Sequence, residues 1–181
     1  MTIKYTLSEN DYLQHQLFIA SKSDHVKKQR RKSWGINSIA IIFLGIIFYQ
    51  SGNAFLTYYF LGTGLLFICL FPFYLRWAYK RHYKKFIHES YHDRFGEAVT
   101  LRINDDFIDS SSKDGEAKIK ISEIVQITET GSYYYLDLIS GGTLMIPKLD
   151  LRNNNELQRA LKVLSDKLKI AYLTELDWKW K

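Results

Sequence analysis

The fold is decided by a long stretch without charged residues, which runs from Ser33 to Leu75 and reads SWGINSIAIIFLGIIFYQSGNAFLTYYFLGTGLLFICLFPFYL. A helix needs roughly 20 apolar residues to cross a bilayer, so the stretch is about twice as long as one span. Its middle, from Gln50 to Asn53, has the composition of a turn. We therefore predict a transmembrane domain at residues 34–75, made of two helices at about 34–49 and 54–75. A buried helix pair in a soluble protein would carry a polar stripe, and neither run has one.

Basic residues lie on both sides of the apolar stretch and are absent from its central turn. They are Lys27, Lys28, Arg30, Arg31 and Lys32 before it, and Arg76, Lys80, Arg81, Lys84 and Lys85 after it. The positive-inside rule then places both ends of the chain in the cytoplasm and the turn outside. Trp34 and Trp77 match the aromatic belt at one boundary, and Tyr49, Tyr58 and Tyr59 match it at the other. The sequence thus predicts a multi-pass membrane protein with two cytoplasmic termini.

The net charge of +6 is unevenly distributed along the chain. Residues 1–96 hold 13 Lys and Arg against 5 Asp and Glu, whereas residues 97–181 hold 12 against 14. The basic excess therefore flanks the spans, where the anionic headgroups of the lipid bilayer are the expected partner. A nucleic-acid partner would need a basic face on the folded domain, so we expect none. The single cysteine, Cys69, excludes an intrachain disulfide.

The segments on either side of the spans have distinct patterns. Residues 1–33 are predicted as a cytoplasmic strand, with Ile3, Tyr5 and Leu7 alternating, and a helix capped by Ser8. The apolar stripe of this helix could pack on a cytoplasmic domain or lie on the membrane. Residues 76–96 are predicted as a juxtamembrane helix that ends at Gly96.

Residues 97–181 change to a β pattern. Alternating apolar residues and turn signals, among them Lys113-Asp114-Gly115, predict six short strands. These strands are at residues 99–103, 107–108, 119–121, 124–129, 133–139 and 143–146. Asn153–Asn155 offer a helix cap, and Leu157, Leu161, Leu164 and Leu168 follow at helical spacing. Together they predict an amphipathic helix to about Lys169.

This order of strands followed by one helix is typical of a pleckstrin-homology-like domain, and other β-plus-helix folds share it. The predicted fold class is therefore an α+β membrane protein. A two-helix transmembrane hairpin carries a cytoplasmic pleckstrin-homology-like antiparallel β domain that ends in an amphipathic helix.

Four short motifs carry a resemblance to a known family. They are Val99–Ile103 (VTLRI), Ile121–Ile124 (ISEI), Tyr134–Leu136 (YYL) and Leu144–Lys148 (LMIPK). With these motifs and the hairpin, the whole chain resembles the YcxB-like bacterial membrane proteins. The resemblance implies a hairpin in the bacterial cytoplasmic (inner) membrane and a C-terminal pleckstrin-homology-like domain at residues 97–181. It implies no catalytic residues, so it bears on fold and location.

The clearest catalytic pattern is H-E-x-x-H at His88, Glu89 and His92. On a helix, the two histidines would share a face and could bind zinc, with Glu89 as general base. A catalytic zinc also needs a third protein ligand, and the residues after His92 do not supply the metzincin extension. We therefore predict a solvated helix face, and we assign no catalytic, cofactor-binding or metal-binding residues.

Three other features are candidate binding elements. Asp105, Asp106 and Asp109 lack the EF-hand spacing and are predicted to lie in a hairpin turn. The tail Trp178–Lys181 could anchor at a lipid interface or pack one tryptophan on the domain. One residue of Tyr133–Tyr135 is predicted to be exposed, where it could belong to a binding surface.

The leading functional hypothesis is a non-enzymatic, membrane-anchored interaction or scaffolding module. An exposed sheet edge could receive a strand of a protein partner, and an immunity-type protein that neutralises a toxin at the membrane is a specialised version. The first alternative is a membrane zinc metallopeptidase that uses His88, Glu89 and His92. The second is self-association into a pore, for which Gly35, Gly45, Gly62 and Gly64 give a weak packing signal.

Overall fold

A computed structural model describes residues 1–113, 115–149, 151 and 154–180. Within these residues it is an α+β protein with long helices and two sheets. The elements are β1 (Thr2–Thr6), α1 (Glu9–Lys22), α2 (Asp24–Gln50), α3 (Ala54–Tyr91), β2 (Ala98–Ile103), β3 (Phe107–Ser112), β4 (Gly115–Lys120), β5 (Ile124–Thr130), β6 (Tyr133–Leu138), β7 (Thr143–Pro147), α4 (Asn154–Leu168) and β8 (Ala171–Glu175). Asp114 of a predicted turn, Asn153 of a predicted cap and Lys181 of the tail lie outside the described residues.

The chain divides into two compact units. The first contains residues 1–15 and 87–179, and the second contains residues 16–86 together with Trp180. The domain boundaries predicted at residues 33 and 97 follow changes in the sequence pattern. The contacts between residues instead place the N-terminal residues 1–15 in the same unit as residues 87–179. We call the first unit the β domain and the second the helical unit.

The β domain is built from two four-stranded sheets. Sheet A has the order β1-β2-β3-β4, and all its neighbouring strands are antiparallel. Sheet B has the order β7-β6-β5-β8. Its first two pairs are antiparallel, but β8 runs parallel to β5. The sequence pattern predicted the antiparallel strands and did not predict β8.

Strand β1 pairs with β2, although both long helices separate the two strands in sequence. Thr2 lies opposite Arg102 and Thr6 lies opposite Ala98. The amino group of Met1 also donates a hydrogen bond to the carbonyl of Ile103, at 2.9 Å. The N-terminal strand therefore completes sheet A, and the long helices are an insertion between two paired strands.

Helix α4 covers the core of the β domain. The predicted leucine stripe is confirmed, because Leu157, Leu161 and Leu164 are buried and Leu168, its fourth member, is partly buried against them. They belong to one cluster with apolar residues from both sheets. The buried members from the sheets and their connections are Ile3, Tyr5, Leu101, Ile108, Ile121, Ile124, Ile127, Tyr134, Leu136 and Ile146. Ile3 and Tyr5 of β1, and Tyr134 and Leu136 of β6, are alternate residues of their strands, as the pleat of a sheet requires for one face.

The helical unit contains α2 and α3, which are 27 and 38 residues long. Both are long and apolar enough to cross a bilayer. Their ends at the turn agree with the predicted spans, whereas α2 already starts at Asp24 and α3 continues to Tyr91. The predicted turn between them is confirmed, with Gly52 at φ +72°. Asn53 caps α3, since its side-chain oxygen accepts a hydrogen bond from the Leu56 amide.

Many apolar side chains of both long helices are not covered by other residues of the protein. Those that are at least half exposed include Ile36, Ile39, Ile42, Phe43, Phe55, Leu61, Leu65, Leu66, Leu70 and Phe73. They point in many directions around each helix, so neither helix has the polar outer face of a helix at a protein surface in water. The two helices approach closely at Gly64, where an added Cβ would lie 2.5 Å from Ile41 Cγ2.

Pro72 lies inside α3 and changes the hydrogen bonding of the helix. Proline has no backbone N–H, so the carbonyl of Ile68, four residues earlier, loses its usual helical donor. The indole Nε1–H of Trp34 on α2 donates to this carbonyl at 3.2 Å. A side chain of one helix thus satisfies a backbone group that proline leaves open in the other.

This hydrogen bond can be tested by a double-mutant cycle. We expect Trp34→Phe to destabilise the full-length protein in nanodiscs by about 1 kcal/mol, since it removes the donor and leaves the carbonyl open. In a Pro72→Ala background, where residue 72 supplies the N–H, the same substitution should cost much less. Thermal unfolding measures both costs. Equal costs in the two backgrounds would refute the pairing, and Trp77→Phe on α3 is the control.

Candidate functional site

The H-E-x-x-H residues lie where α3 ends. His88 and Glu89 are in its last turns, whereas His92 begins a separate 3-10 turn at His92–Arg94. All three side chains are exposed, and Nε2 of His92 is 2.9 Å from a carboxylate oxygen of Asp93. Among the described residues, no three His, Cys, Asp or Glu side chains are grouped so that they could hold a metal ion. Within the described part of the chain, the fold therefore brings no third ligand to this motif.

The Asp105, Asp106 and Asp109 cluster is divided between a turn and the strand that follows it. Asp105 and Asp106 precede β3, and Asp109 is within it. The side-chain amide of Asn104 donates to Asp109 at 2.9 Å, and the Asp106 carbonyl accepts from the Ile121 amide. These contacts stabilise a hairpin connection.

The prediction of an exposed residue in Tyr133–Tyr135 is wrong, because all three tyrosines are buried. Tyr133 donates to the Asp11 carboxylate at 2.6 Å on one face of sheet B. On the other face, Tyr134 donates to the side-chain oxygen of Asn154 at 2.9 Å. Successive tyrosines point to opposite faces of sheet B. Residues of α1 cover the first face and α4 covers the second, so none of the three tyrosines is exposed.

A buried carboxylate, Glu129 on β5, connects three elements of the β domain. It accepts hydrogen bonds from Lys148 at 2.8 Å, from Gln158 of α4 at 2.9 and 3.0 Å, and from the Tyr172 hydroxyl of β8 at 2.6 Å. The ammonium group of Lys148 also lies 4.7 Å from the centre of the Tyr134 ring. Glu129 therefore ties β8 and α4 to the centre of sheet B.

The environment of Glu129 keeps it ionised. Burial alone would raise its pKa, but the hydrogen bonds from Lys148, Tyr172 and Gln158 together hold the pKa below its usual value. The carboxylate therefore stabilises the folded state at neutral pH, and this contribution is lost as the pH falls through the lowered pKa. Burial and then the nearby Glu129 charge raise the pKa of Tyr134 to about 12.

The outer edge of β7 is closed by side chains from the N-terminal segment. The Tyr5 hydroxyl donates to the Met145 carbonyl at 3.3 Å, and His15 Nε2 is 3.1 Å from the Thr143 carbonyl. The two carbonyls are two residues apart and so point to the same side of the strand. A partner strand therefore meets side chains at this edge instead of open backbone groups.

The His15 contact predicts a pH dependence of stability. Burial lowers the pKa of His15, and the Thr143 carbonyl and the Asp137 charge only partly offset this effect. The unfolded chain then binds a proton more readily, so stability should fall as the pH drops below about 6.5. We expect His15→Gln, which keeps a donor for Thr143, to flatten this fall between pH 7.5 and 5. Melting temperatures of the wild type and of His15→Gln across this pH range test the prediction, with His25→Gln as the control. A pH profile of His15→Gln that equals the wild-type profile would contradict the role of His15.

The comparisons with known proteins concern the central part of this domain. Residues 103–164 match the sequence model of the family described as YcxB-like protein. The resemblance to this family is confirmed over that segment. No curated protein and no solved structure matches the chain. The YcxB-like segment runs from the end of β2 into α4 and includes Glu129, Lys148 and Gln158, whereas Tyr172, the fourth member of the cluster, lies beyond it.

The remaining sheet edges differ in charge. Strand β4 follows β3 in the YcxB-like segment, and its exposed side chains include Glu116, Lys118 and Lys120. Charged side chains of this kind protect an edge strand against pairing with another chain. Strand β8 lies outside the segment and contains no Lys or Arg, and its Leu173 is 38% exposed. Among the described residues, β8 is therefore a sheet edge that carries no basic side chain.

A cleft of about 830 Å³ lies at one end of the β domain, between the end of β7, the start of α1 and the start of α4. Its charged groups are already paired within the chain. Asp11 accepts hydrogen bonds from Ser8 and Tyr133, and Lys148 is bound to Glu129. We assign no ligand to this cleft, and the open edge of β8 is the candidate site.

The sequence pattern did not predict two features of this site, the strand β8 and the carboxylate of Glu129. The alternation in Ala171–Glu175 is short and follows the helix, so local periodicity gave no reason to add it to the sheet. Glu129 gave a signal that could have been used, because it is a charged residue in a strand with a buried pattern. A carboxylate at such a position needs partners, and Lys148 after Pro147 is within reach only once the fold is known.

Proposed function

We propose that the chain is a non-enzymatic, membrane-anchored interaction module. In this proposal α2 and α3 cross the bacterial cytoplasmic membrane, and both termini lie in the cytoplasm. The β domain, with two sheets and a closing helix in the manner of a pleckstrin-homology-like domain, binds an extended segment of a partner protein at β8. An immunity-type role is the special case in which that partner is a toxin.

The support for membrane insertion is the exposure of the apolar side chains on α2 and α3. A soluble protein rarely leaves such a continuous apolar surface in water, because burying it is worth about 25 cal/mol per Å². The basic residues at one end of the helix pair and the uncharged turn at the other favour the cytoplasmic orientation.

The observation that carries the binding proposal is the state of the β8 edge. β8 pairs with β5 over five residues on one side, from Ala171 opposite Gln126 to Glu175 opposite Thr130. Alternate N–H and C=O groups of such a strand point away from its partner, where an added strand can bind them. The hydroxyl of Tyr172 on Glu129 fixes the strand, so this edge is preorganised for an extended peptide.

Site-specific photo-crosslinking in cells tests the proposal. A photoreactive residue replacing Leu173 should give a discrete product with another protein, and the crosslinked peptide should come from a single segment. The matched control is the same residue replacing Val163, an exposed apolar residue on α4. Leu173→Lys, which protects the edge as β4 is protected, should remove the product. Equal crosslinking at both positions would refute the β8 site, and a product of twice the chain mass would support self-association instead.

A further inference from the structure

A basic crevice lies between α2 and α3 in the helical unit. Its volume is about 300 Å³, and α2 contributes Lys27, Arg30, Arg31 and Trp34 to its lining. The opposite wall is apolar and consists of Pro72 and Leu75 on α3. The Trp34 hydrogen bond to the carbonyl that Pro72 leaves open holds the indole at this position. The crevice thus combines three cationic groups with a fixed apolar wall.

The positive charge of the crevice is not neutralised by the helical unit. Residues 16–86 contain eleven Lys and Arg and one carboxylate, Asp24. The carboxylate contacts Lys27 at 3.5 Å on an exposed surface, where such pairs contribute little. Arg30 is therefore left with cationic and aromatic neighbours within its own unit.

The surroundings of Arg30 show how it is positioned. Its guanidinium lies 5.1 Å from the centre of the Trp180 ring and 6.0 Å from that of Tyr79. The Trp180 indole is in turn held by the Arg76 carbonyl at 3.3 Å. Arg30 and Arg76 are close enough to repel each other. The buried Nε of Arg76 has no hydrogen-bond acceptor among the described residues.

A phosphate ester fits these features better than a carboxylate or a free anion. Guanidinium groups bind phosphate oxygens through paired N–H donors, and the negative charge would offset the repulsion between Arg30 and Arg76. The apolar wall of Trp34, Pro72 and Leu75 suits the glycerol and the first acyl carbons of a lipid. Basic pockets between membrane helices on the cytoplasmic side are recognised sites for anionic headgroups.

We propose that this crevice binds the phosphate of an anionic phospholipid from the cytoplasmic leaflet, with Arg30 and Arg31 as its ligands. The inference rests on the proposed membrane location of α2 and α3. It goes further than a general attraction of basic flanks, because it places one lipid molecule in one crevice. Trp34 and Trp180 have positioning roles, the first as part of the wall and the second beneath Arg30.

The test uses the full-length protein reconstituted in nanodiscs of phosphatidylglycerol and phosphatidylcholine. After release into mild detergent, native mass spectrometry counts the lipid molecules retained on each protein. The wild type should retain one phosphatidylglycerol in preference to phosphatidylcholine. Arg30→Gln and Arg31→Gln should each weaken this retention about tenfold or more, the loss expected for a charge-assisted hydrogen bond. Lys84→Gln removes the same charge from α3 outside the crevice and should leave retention nearly unchanged.

The possible outcomes distinguish a lipid headgroup from free phosphate as the ligand. They also distinguish a failure of the crevice site from a failure of the membrane anchor. Displacement of the retained lipid by millimolar inorganic phosphate would point to a free-phosphate site and overturn the inference. An equal loss of phosphatidylglycerol retention in Arg30→Gln and Lys84→Gln would overturn it as well. Alkaline extraction of the same membranes reports insertion independently. Protein that is extracted contradicts the membrane anchor itself, whereas protein that stays inserted without lipid preference contradicts only the crevice site.

Discussion

Replacing Glu129 by alanine should lower the free energy of unfolding of the β domain by about 3–5 kcal/mol, the usual cost of removing one partner of a buried ion pair. The substitution leaves the ammonium of Lys148 without its carboxylate in a site that is nearly closed to water. It also removes the acceptor of Tyr172 and Gln158, so β8 and α4 both lose a tie to sheet B. Urea unfolding of the full-length protein in nanodiscs, followed by near-ultraviolet circular dichroism of the tyrosines, measures the change.

Two variants show whether this loss comes from the buried charge. Glu116→Ala removes an exposed carboxylate of β4 and should change the free energy of unfolding by less than about 0.5 kcal/mol. Adding Lys148→Met to Glu129→Ala should restore part of the lost stability, because it removes the unpaired charge. A small effect of Glu129→Ala, or an additive double variant, would contradict the role assigned to this carboxylate.

The second large effect is expected at the other end of the chain, at Ile3. This side chain is buried in the core by the pairing of β1 with β2. Ile3→Asp should unfold sheet A or cost on the order of 4 kcal/mol or more, because it places an unpaired carboxylate in the core. The same unfolding measurement applies, and loss of the native circular dichroism signal is the expected result.

A neighbouring position on β1 provides the control. Thr2→Asp introduces the same carboxylate one residue earlier, on the exposed face and opposite Arg102. It should be close to neutral. If Ile3→Asp and Thr2→Asp were equally harmless, β1 would not be part of the folded sheet.

The sequence allowed the helical parts of this fold to be predicted well. The hairpin was visible because the stretch from Ser33 to Leu75 has no charge and one clear turn. Helix α4 was visible because Leu157, Leu161 and Leu164 recur at helical spacing. Both signals are local, so they need no knowledge of what the residues contact.

The pairings of β1 and β8 could not be predicted in the same way. The partner of Thr2 is Arg102, far along the chain, and no local period encodes that contact. The burial of Tyr133–Tyr135 could not be predicted locally either. Alternation along the strand predicts one exposed face of the sheet, whereas helices cover both faces. The candidate site and the crevice depend on such long-range contacts. Strand β8 is a sheet edge because it joins β5, and the Trp34 indole in the crevice wall is held by the carbonyl of Ile68.

The proposed function requires a cytoplasmic β domain on a membrane hairpin, and cysteine accessibility in cells tests this topology. In a Cys69→Ser background, Ser51→Cys marks the turn between α2 and α3, and Ser111→Cys marks the exposed face of β3. A membrane-impermeant maleimide should label Ser51→Cys in intact cells and Ser111→Cys only after the membrane is opened. Labelling of both positions from the same side would contradict the account.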